Sequence, residues 1–394
     1  MIVDDYISYY KKYQKKYGSK TVVLMQVGSF FEIYGVDNET EKIVNIKEIT
    51  EILNITLSKK NKTSDDCSRK NCLMAGFPSP ALQKYMPILL QNSYTVVLIE
   101  QTTEPPNPKR EVTDILSPGT YINEIYSKSP RDNNNISAIF LNTETDYKTG
   151  KIILFAGLSS IDLSTGKCSI QEIINNKEYC LENIFQYIEA QDPKELLIIN
   201  PTDIDINSHF HHRKIYPISP DKNKHKINYL NEFYKKIYHP DGLLSALEYL
   251  DIERKLFAAN SFMYLLTFAY EHNENIIKRI HKPIFWSDDN KLTLYNNCLY
   301  QLNICNKENT HNSHVLINIL DKTSTPMGRR VLKNHIIQPN INNLQFYYDH
   351  IEKFKPHIKE IEKPLQNIID IERLKRRILL KTIHPHELYN FYIS

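Results

Sequence analysis

The stretch Gly28-Ser29-Phe30-Phe31-Glu32 sets two large aromatic faces beside a carboxylate, directly after a turn-forming pair. Aromatic rings stack on nucleic-acid bases with little sequence preference, each stack being worth about 1–3 kcal/mol. A neighbouring carboxylate supplies a hydrogen-bond acceptor for the same base. Taken alone, the five residues favour a core reading, because most phenylalanines are buried. Two basic pairs, Lys59-Lys60 and Lys109-Arg110, are candidates for phosphate-backbone contacts, although charged runs such as that from Lys59 to Lys70 usually form a solvated face.

Other residues of the right type fail on spacing. Thr165-Gly166-Lys167 looks like the end of a phosphate-binding loop, but the motif demands glycine five residues before Gly166, where Ile161 stands, so a hairpin turn is expected. Asp162 has the type of a nuclease carboxylate, yet no partner carboxylates follow at strand ends, and one carboxylate does not hold two metals. His209, His211 and His212 lie near Asp203 and Asp205 without helical spacing and read as surface histidines. Cys67 and Cys72 have no second Cys or His pair to complete a zinc site, so no metal is expected and the six cysteines read as reduced thiols.

With 49 Lys+Arg against 46 Asp+Glu, the 394-residue chain is no polycation, and nucleic-acid binding has to come from local patches. No apolar run reaches the roughly eighteen residues of a membrane span, and the N-terminus lacks a signal-peptide core. An intracellular, soluble protein of two or three domains is expected.

The elements that must position the aromatic pair are legible. Asp4 to Tyr17 reads as an amphipathic helix closed by Gly18. Val22 to Val27 is a buried strand ended by Gly28-Ser29. Lys47 to Leu53 reads as a helix, Ile55 to Leu57 as extended, Ala81 to Gln91 as a helix, and Tyr94 to Glu100 as a second buried strand, followed by a proline-punctuated loop. Residues 126–135 form a polar linker. From Ile136 an antiparallel meander is expected, then a helix over Leu181 to Ala190 and a strand from Leu196. From Pro240 the pattern is helical, with long amphipathic stretches over Leu243 to Phe257 and Ala258 to His272, a short extended piece over Lys291 to Tyr295, and further helices.

V-V-L-M-Q-V followed by G-S-F-F-E, then L-M-A-G-F-P, V-V-L-I-E-Q and L-S-P-G-T, occur in the order found in the MutS family of DNA mismatch-repair proteins, which this chain resembles. The resemblance implies an α/β mismatch-recognition domain over 1–125. It also implies an α/β RNase-H-like connector over 136–239, carrying G-L-S-S-I-D-L-S-T-G, and an all-α partial core or lever domain over 240–394. T-P-M-G-R-R at Thr325 to Arg330 and the segment Ile368 to Leu388 resemble that core.

By the same resemblance, Phe30 stacks on a mispaired base in the minor groove and Glu32 hydrogen-bonds to it, with Gly28 and Phe31 completing the mismatch-binding motif. Phe31 stands where the family commonly has tyrosine, and Ser29 where it has aspartate. The Gly-Ser version and the Asn/Lys-rich composition suggest the branch of large DNA viruses and soft-coral mitochondria.

Arg329, Arg330, Arg376 and Arg377 are read as polar faces of packed helices rather than DNA contacts. The family continues beyond what this sequence covers, through a clamp and a dimerising ATPase domain. No Walker A loop is present in the sequence, so ATP and Mg²⁺ are expected only in the missing C-terminal half and no ATPase activity from this chain. The expected partners are mismatched double-stranded DNA and a second MutS-type chain or a separately encoded C-terminal half. An RNase-H-like, metal-dependent nuclease centred on Asp162 and an interaction fragment that binds no DNA are the alternatives.

Overall fold

The computed structural model describes residues 2–59, 61, 66–103, 108–122, 132–145, 147, 150–210, 213–240, 242–286, 294, 298–305 and 314–394. It divides into two compact units, Met1–Ser129 with Ala269–Glu274, and Pro130–Phe268 with Asn275–Ser394.

In the first unit, helix α1 (Ile2–Tyr17) carries Asp4 and Asp5 in its first turn and Lys15 and Lys16 in its last, which complements the helix dipole. Its apolar face buries Val3, Tyr6, Ile7, Tyr10, Tyr13 and Tyr17. Gly18, at φ +87°, ends it as expected. There follow β1 (Thr21–Val27), β2 (Phe30–Asp37), β3 (Lys42–Ile43), α2 (Ile46–Leu53), β4 (Ser58–Lys59), β5 (Leu73–Pro78), α3 (Leu82–Gln91), β6 (Thr95–Gln101) and β7 (Arg110–Leu116).

The sheet order is β4-β5-β2-β1-β6-β7, with β3 on β2. Strands β1 and β6 are parallel, and the other pairs are antiparallel. Two expectations shift here. The extended piece lies at Ser58–Lys59 rather than 55–57, where it pairs with β5. The segment after the prolines is not all loop, because β7 pairs along β6 from Arg110 to Leu116.

The second unit begins with the meander β8 (Asn135–Thr145), β9 (Ile152–Asp162) and β10 (Lys167–Asn176). Helix α4 (Lys177–Gln191) leads to β11 (Glu195–Ile199) and β12 (Lys214–Pro217), with β11 parallel to β8 and β12 parallel to β11. The strand β8 already starts at the last residue of the expected linker, of which 126–131 lie outside the described residues.

Helices α5 (Ile227–Tyr238), α6 (Ala246–Tyr249) and α7 (Leu256–His272) follow. Helix formation thus begins before Pro240, and no long helix spans Leu243 to Phe257. A Ser245–Glu248 capping box starts α6, and Asp251, at φ +60°, turns the chain out of it. Nor is α7 amphipathic: Ala258, Ala259, Phe262, Met263, Leu265 and Leu266 are all fully buried, so it is a core helix. Its start presses on β9 at Gly157, where a Cβ would stand 1.9 Å from the Phe257 carbonyl oxygen. Glu172 on β10 accepts the Phe257 and Ala258 N–H groups at 2.8 and 3.1 Å, satisfying orphan donors of the helix start.

A short strand, β13 (Ile284–Phe285), adds to β10 from within the segment read as helical. The expected extension over Lys291 to Tyr295 falls almost wholly outside the described residues. From Cys298 onward the described elements are helices: α8 (Cys298–Gln301), α9 (Leu316–Leu320), α10 (Pro326–Ile337), α11 (Leu344–Phe354), α12 (Ile358–Leu365), α13 (Ile371–Leu380) and α14 (Pro385–Ile393). T-P-M-G-R-R is the start of α10: Thr325 is its N-cap, accepting from the Gly328 N–H at 3.0 Å, and Pro326 opens the first turn.

All four arginines singled out in this region are engaged inside the unit. Arg329 pairs with Asp132 and Asp321, and Arg377 with Glu387. Arg330 forks onto Asp370 at 2.6 and 2.8 Å and reaches Glu372 at 2.7 Å. Arg376 donates to main-chain carbonyls. Burial by itself would raise the Asp370 carboxyl, but the Arg330 guanidinium outweighs it and holds it below the usual carboxylate range. A carboxylate so held stabilises the fold above its ordinary value of about 4, and that stability is lost as pH falls through the lower, folded value. Urea midpoints at pH 7 and pH 3 should therefore fall more steeply for the parent than for Asp370→Asn. Parallel acid profiles would show that the pair contributes nothing.

Candidate nucleic-acid interface

The turn between β1 and β2 is the shortest a hairpin allows. Val27 pairs with Phe30, Gln26 with Phe31 and Met25 with Glu32, leaving Gly28 and Ser29 as the two loop residues. Gly28 sits at φ +61°, where a side chain would be strained. On the far side of β2, Phe30 pairs with Pro78, Phe31 with Phe77 and Glu32 with Gly76. The motifs G-S-F-F-E and L-M-A-G-F-P are thus neighbouring strands in register. Gly76 is required there, because a Cβ would come within 2.8 Å of the Phe31 carbonyl oxygen.

Strand alternation separates the two phenylalanines. Phe30 is 45% exposed, whereas Phe31 is 2% exposed with its ring 6.2 Å from that of Phe77. Phe31 is therefore a core residue and not a base contact, a correction to its place in the expected site. Glu32 shares the face of Phe30, is half-buried, and accepts a hydrogen bond from the Tyr34 hydroxyl.

The turn is braced from both sides. The Ser29 carbonyl accepts from the Ser79 N–H at 2.8 Å. The Gln101 carboxamide oxygen, assigned from its partners, accepts from the Gly28 N–H at 3.2 Å and from Arg110 Nη2 at 3.1 Å. Arg110 Nε donates to the Gln26 carbonyl at 3.0 Å, and the Gln101 N–H to Gln26 Oε1 at 3.0 Å. Arg110, expected on a phosphate, instead holds strand ends whose main-chain groups need donors.

Lys109 is exposed beside Arg110 at the same end of the sheet as Gly28. Lys59 is not brought there. It pairs with Leu73, five residues along β5 from Pro78, or about 17 Å from the Phe30 end. Lys60 lies outside the described residues. Gln26, Gly76, Gln101 and Tyr34 escaped the sequence reading. The spacing Phe30-x-Glu32-x-Tyr34, which puts all three on one strand face, was the available signal for Tyr34.

The competing sites are occupied by local structure. Asp162 is buried at the end of β9, its Oδ1 accepting from the Ser164 N–H and hydroxyl at 2.9 and 2.5 Å, and residues 163–166 form the β9–β10 turn, with Gly166 at φ +79°. His209 is exposed and stacks on Phe185, while His211 and His212 lie outside the described residues. Among the described residues no group of three or more His, Cys, Asp or Glu side chains is arranged to hold a metal ion. Nor is any described helix long and apolar enough to cross a membrane.

Residues 5–125 match the family model of MutS domain I, and residues 297–393 that of MutS domain III. The chain is 31% identical to a mutS homolog of Acanthamoeba polyphaga mimivirus, over 98% of this chain and 38% of the relative. It is 25% identical to the DNA mismatch repair protein MutS of Caldanaerobacter subterraneus, over 100% of this chain and 43% of the relative. The corresponding protein of Flavobacterium psychrophilum is 26% identical, over 96% of this chain and 41% of the relative. The chain therefore spans about two fifths of the length of these curated relatives, and similarity to viral and bacterial proteins alike assigns no branch. Over residues 5–125, which hold the braced turn with Phe30 and Glu32, and over residues 297–393, this chain is homologous to the MutS family.

Proposed function

We propose that this chain reads mispaired DNA for a MutS-type repair protein, by inserting Phe30 at a mispair and hydrogen-bonding the displaced base through Glu32. The observation that carries this reading is the pair's presentation. Phe30 is an exposed aromatic at the tip of a turn braced on both sides, with a carboxylate two residues on along the same strand face. A mispair is easier to unstack and kink than a matched pair, so an aromatic wedge converts deformability into selectivity. Lys109 at the same sheet end suits a flanking phosphate.

On this reading 1–125 is the recognition domain and 126–135 a linker. Residues 136–239 are an RNase-H-like connector, a reading favoured by the strand order β10-β9-β8-β11-β12 with its parallel second half. Residues 240–394 are part of a helical core. Exposed Phe346, Ile351, Phe354, Ile358, Leu388 and Tyr392 on α11, α12 and α14 suit docking of further MutS-type helices, and ATP and Mg²⁺ chemistry is placed with that remaining part of a MutS-type protein.

The test is the affinity of the chain for a G·T or single-base-bulge duplex against its matched homoduplex, at several stated salt concentrations. A preference for the mispair of about tenfold or more at each salt is expected from one base stack and one hydrogen bond. Equal affinities would overturn the reading.

A further inference from the structure

We infer that Tyr34 is a positioning residue for Glu32: its hydroxyl, fixed in place by Tyr6, holds the Glu32 carboxylate in the orientation that meets a displaced base. This rests on the proposed roles of Phe30 and Glu32 and adds to them a residue outside that pair.

Strand geometry supplies the first part. Phe30, Glu32 and Tyr34 follow one another at intervals of two along β2 and share one face. Along that face exposure falls from 45% at Phe30 through half-buried Glu32 to 6% at Tyr34. The face therefore runs from the exposed turn into the core, and Tyr34 is where it becomes rigid.

The contacts supply the second part. The Tyr34 hydroxyl donates to Glu32 Oε2. Its ring packs edge-on against Tyr6, with centroids 5.3 Å apart and planes at 80°. Tyr6 is fully buried and donates to the Val23 carbonyl of β1 at 3.0 Å. A line of contacts thus leads from β1 through two tyrosines to the carboxylate. Burial and the hydrogen bond to Glu32 push the Tyr34 phenol far above its ordinary value, so it remains a donor throughout the physiological range.

Opposite Glu32, Gly76 leaves open the space beside the glutamate stem, where a Cβ would stand 3.4 Å from its Cγ. A glutamate at a strand surface otherwise samples several rotamers and must give up that freedom to contact a base. Here Oε2 is held by the phenol, which leaves Oε1 to accept from a base N–H. Phenylalanine at position 34 would fill the same space against Tyr6 and donate nothing.

The test is a double-mutant cycle on the full chain with Tyr34→Phe, Glu32→Ala and the double variant. It is read as the ratio of matched-duplex to G·T-duplex Kd, with the melting temperature of each protein beside it. Tyr34→Phe is expected to lower the ratio about fivefold in the parent, the effect of one hydrogen bond. In Glu32→Ala, where Phe30 still supplies residual preference, it is expected to change nothing. The melting temperature should hold throughout.

Equal lowering in both backgrounds, or lowering that tracks a falling melting temperature, would make Tyr34 merely structural and overturn the inference. If Tyr34→Phe leaves the ratio unchanged while Glu32→Ala lowers it, the inference fails and the reading of Phe30 and Glu32 stands. A parent without mispair preference, or one indifferent to Glu32→Ala, removes that reading and the inference with it.

Discussion

In a Phe30→Ala chain, affinity for a mispaired duplex is expected to fall to that for the matched duplex, a loss of about 10- to 100-fold, because without the stacked wedge no base is displaced towards Glu32. The fold should barely register the change. Phe30 is 45% exposed at the first position of β2, and its main-chain pairing with Val27 and Pro78 does not depend on the ring. Exposed substitutions of this kind shift stability by less than about 1 kcal/mol.

The adjacent residue gives the internal control. Phe31 is 2% exposed and packed on Phe77, which itself lies 4.6 Å from Tyr85 on α3. Truncating such a ring costs about 3–5 kcal/mol of stability. Neighbouring alanine substitutions are thus expected to separate binding from folding. Anisotropy titrations and thermal melts on both variants check this. A Phe30→Ala chain that keeps its mispair preference would remove the wedge.

Arg376→Met is expected to cost stability on the same scale as truncating Phe31. The side chain is 1% exposed on α13 and donates to the carbonyls of Leu163, Ile276, Lys278 and Arg279 at 3.3, 2.5, 2.6 and 3.0 Å. No carboxylate is among these acceptors, and burial brings the guanidinium down to about 10, so part of the charge's cost is relieved when it is removed. Against that relief stand the carbonyls of Leu163 and Ile276, which lose a donor in buried contacts at about 1–3 kcal/mol each, and those of Lys278 and Arg279, which lose one in part-buried contacts.

The carbonyls outweigh the charge, for a net loss of about 3 kcal/mol or more, a sizeable share of the 5–15 kcal/mol or so that holds a typical domain folded. Arg376→Lys should not restore it, because a single ammonium does not span four acceptors as a planar fork does. Arg254→Met, at a side chain 92% exposed, should be silent. Denaturant midpoints decide the matter, and an Arg376→Met chain as stable as the Arg254 control would show those carbonyls to be supplied by other donors.

The sequence by itself determined the local pieces near the site. A short continuous apolar run fixed a strand at Val22 to Val27, glycine fixed the turn at Gly28, and amphipathic spacing fixed the helix α1. Each depends on residues within a turn or two of one another, where side-chain period and backbone preference act directly. The same reasoning misread Leu243 to Phe257, where a capping box and a left-handed Asp251 cut the helix to a single turn.

What only the tertiary structure decided is which of two adjacent phenylalanines faces outward. Strand period makes Phe30 and Phe31 point to opposite faces, but a one-residue slip would exchange them. The register is set by β1 on one side and by β5, more than forty residues away, on the other. The same long-range pairing set Gly76 opposite Glu32, turned Arg110 from a phosphate ligand into a brace, and left Lys59 at the far end of the sheet. Strand pairing and burial are cooperative properties of the whole sheet, so no local window of sequence carries them.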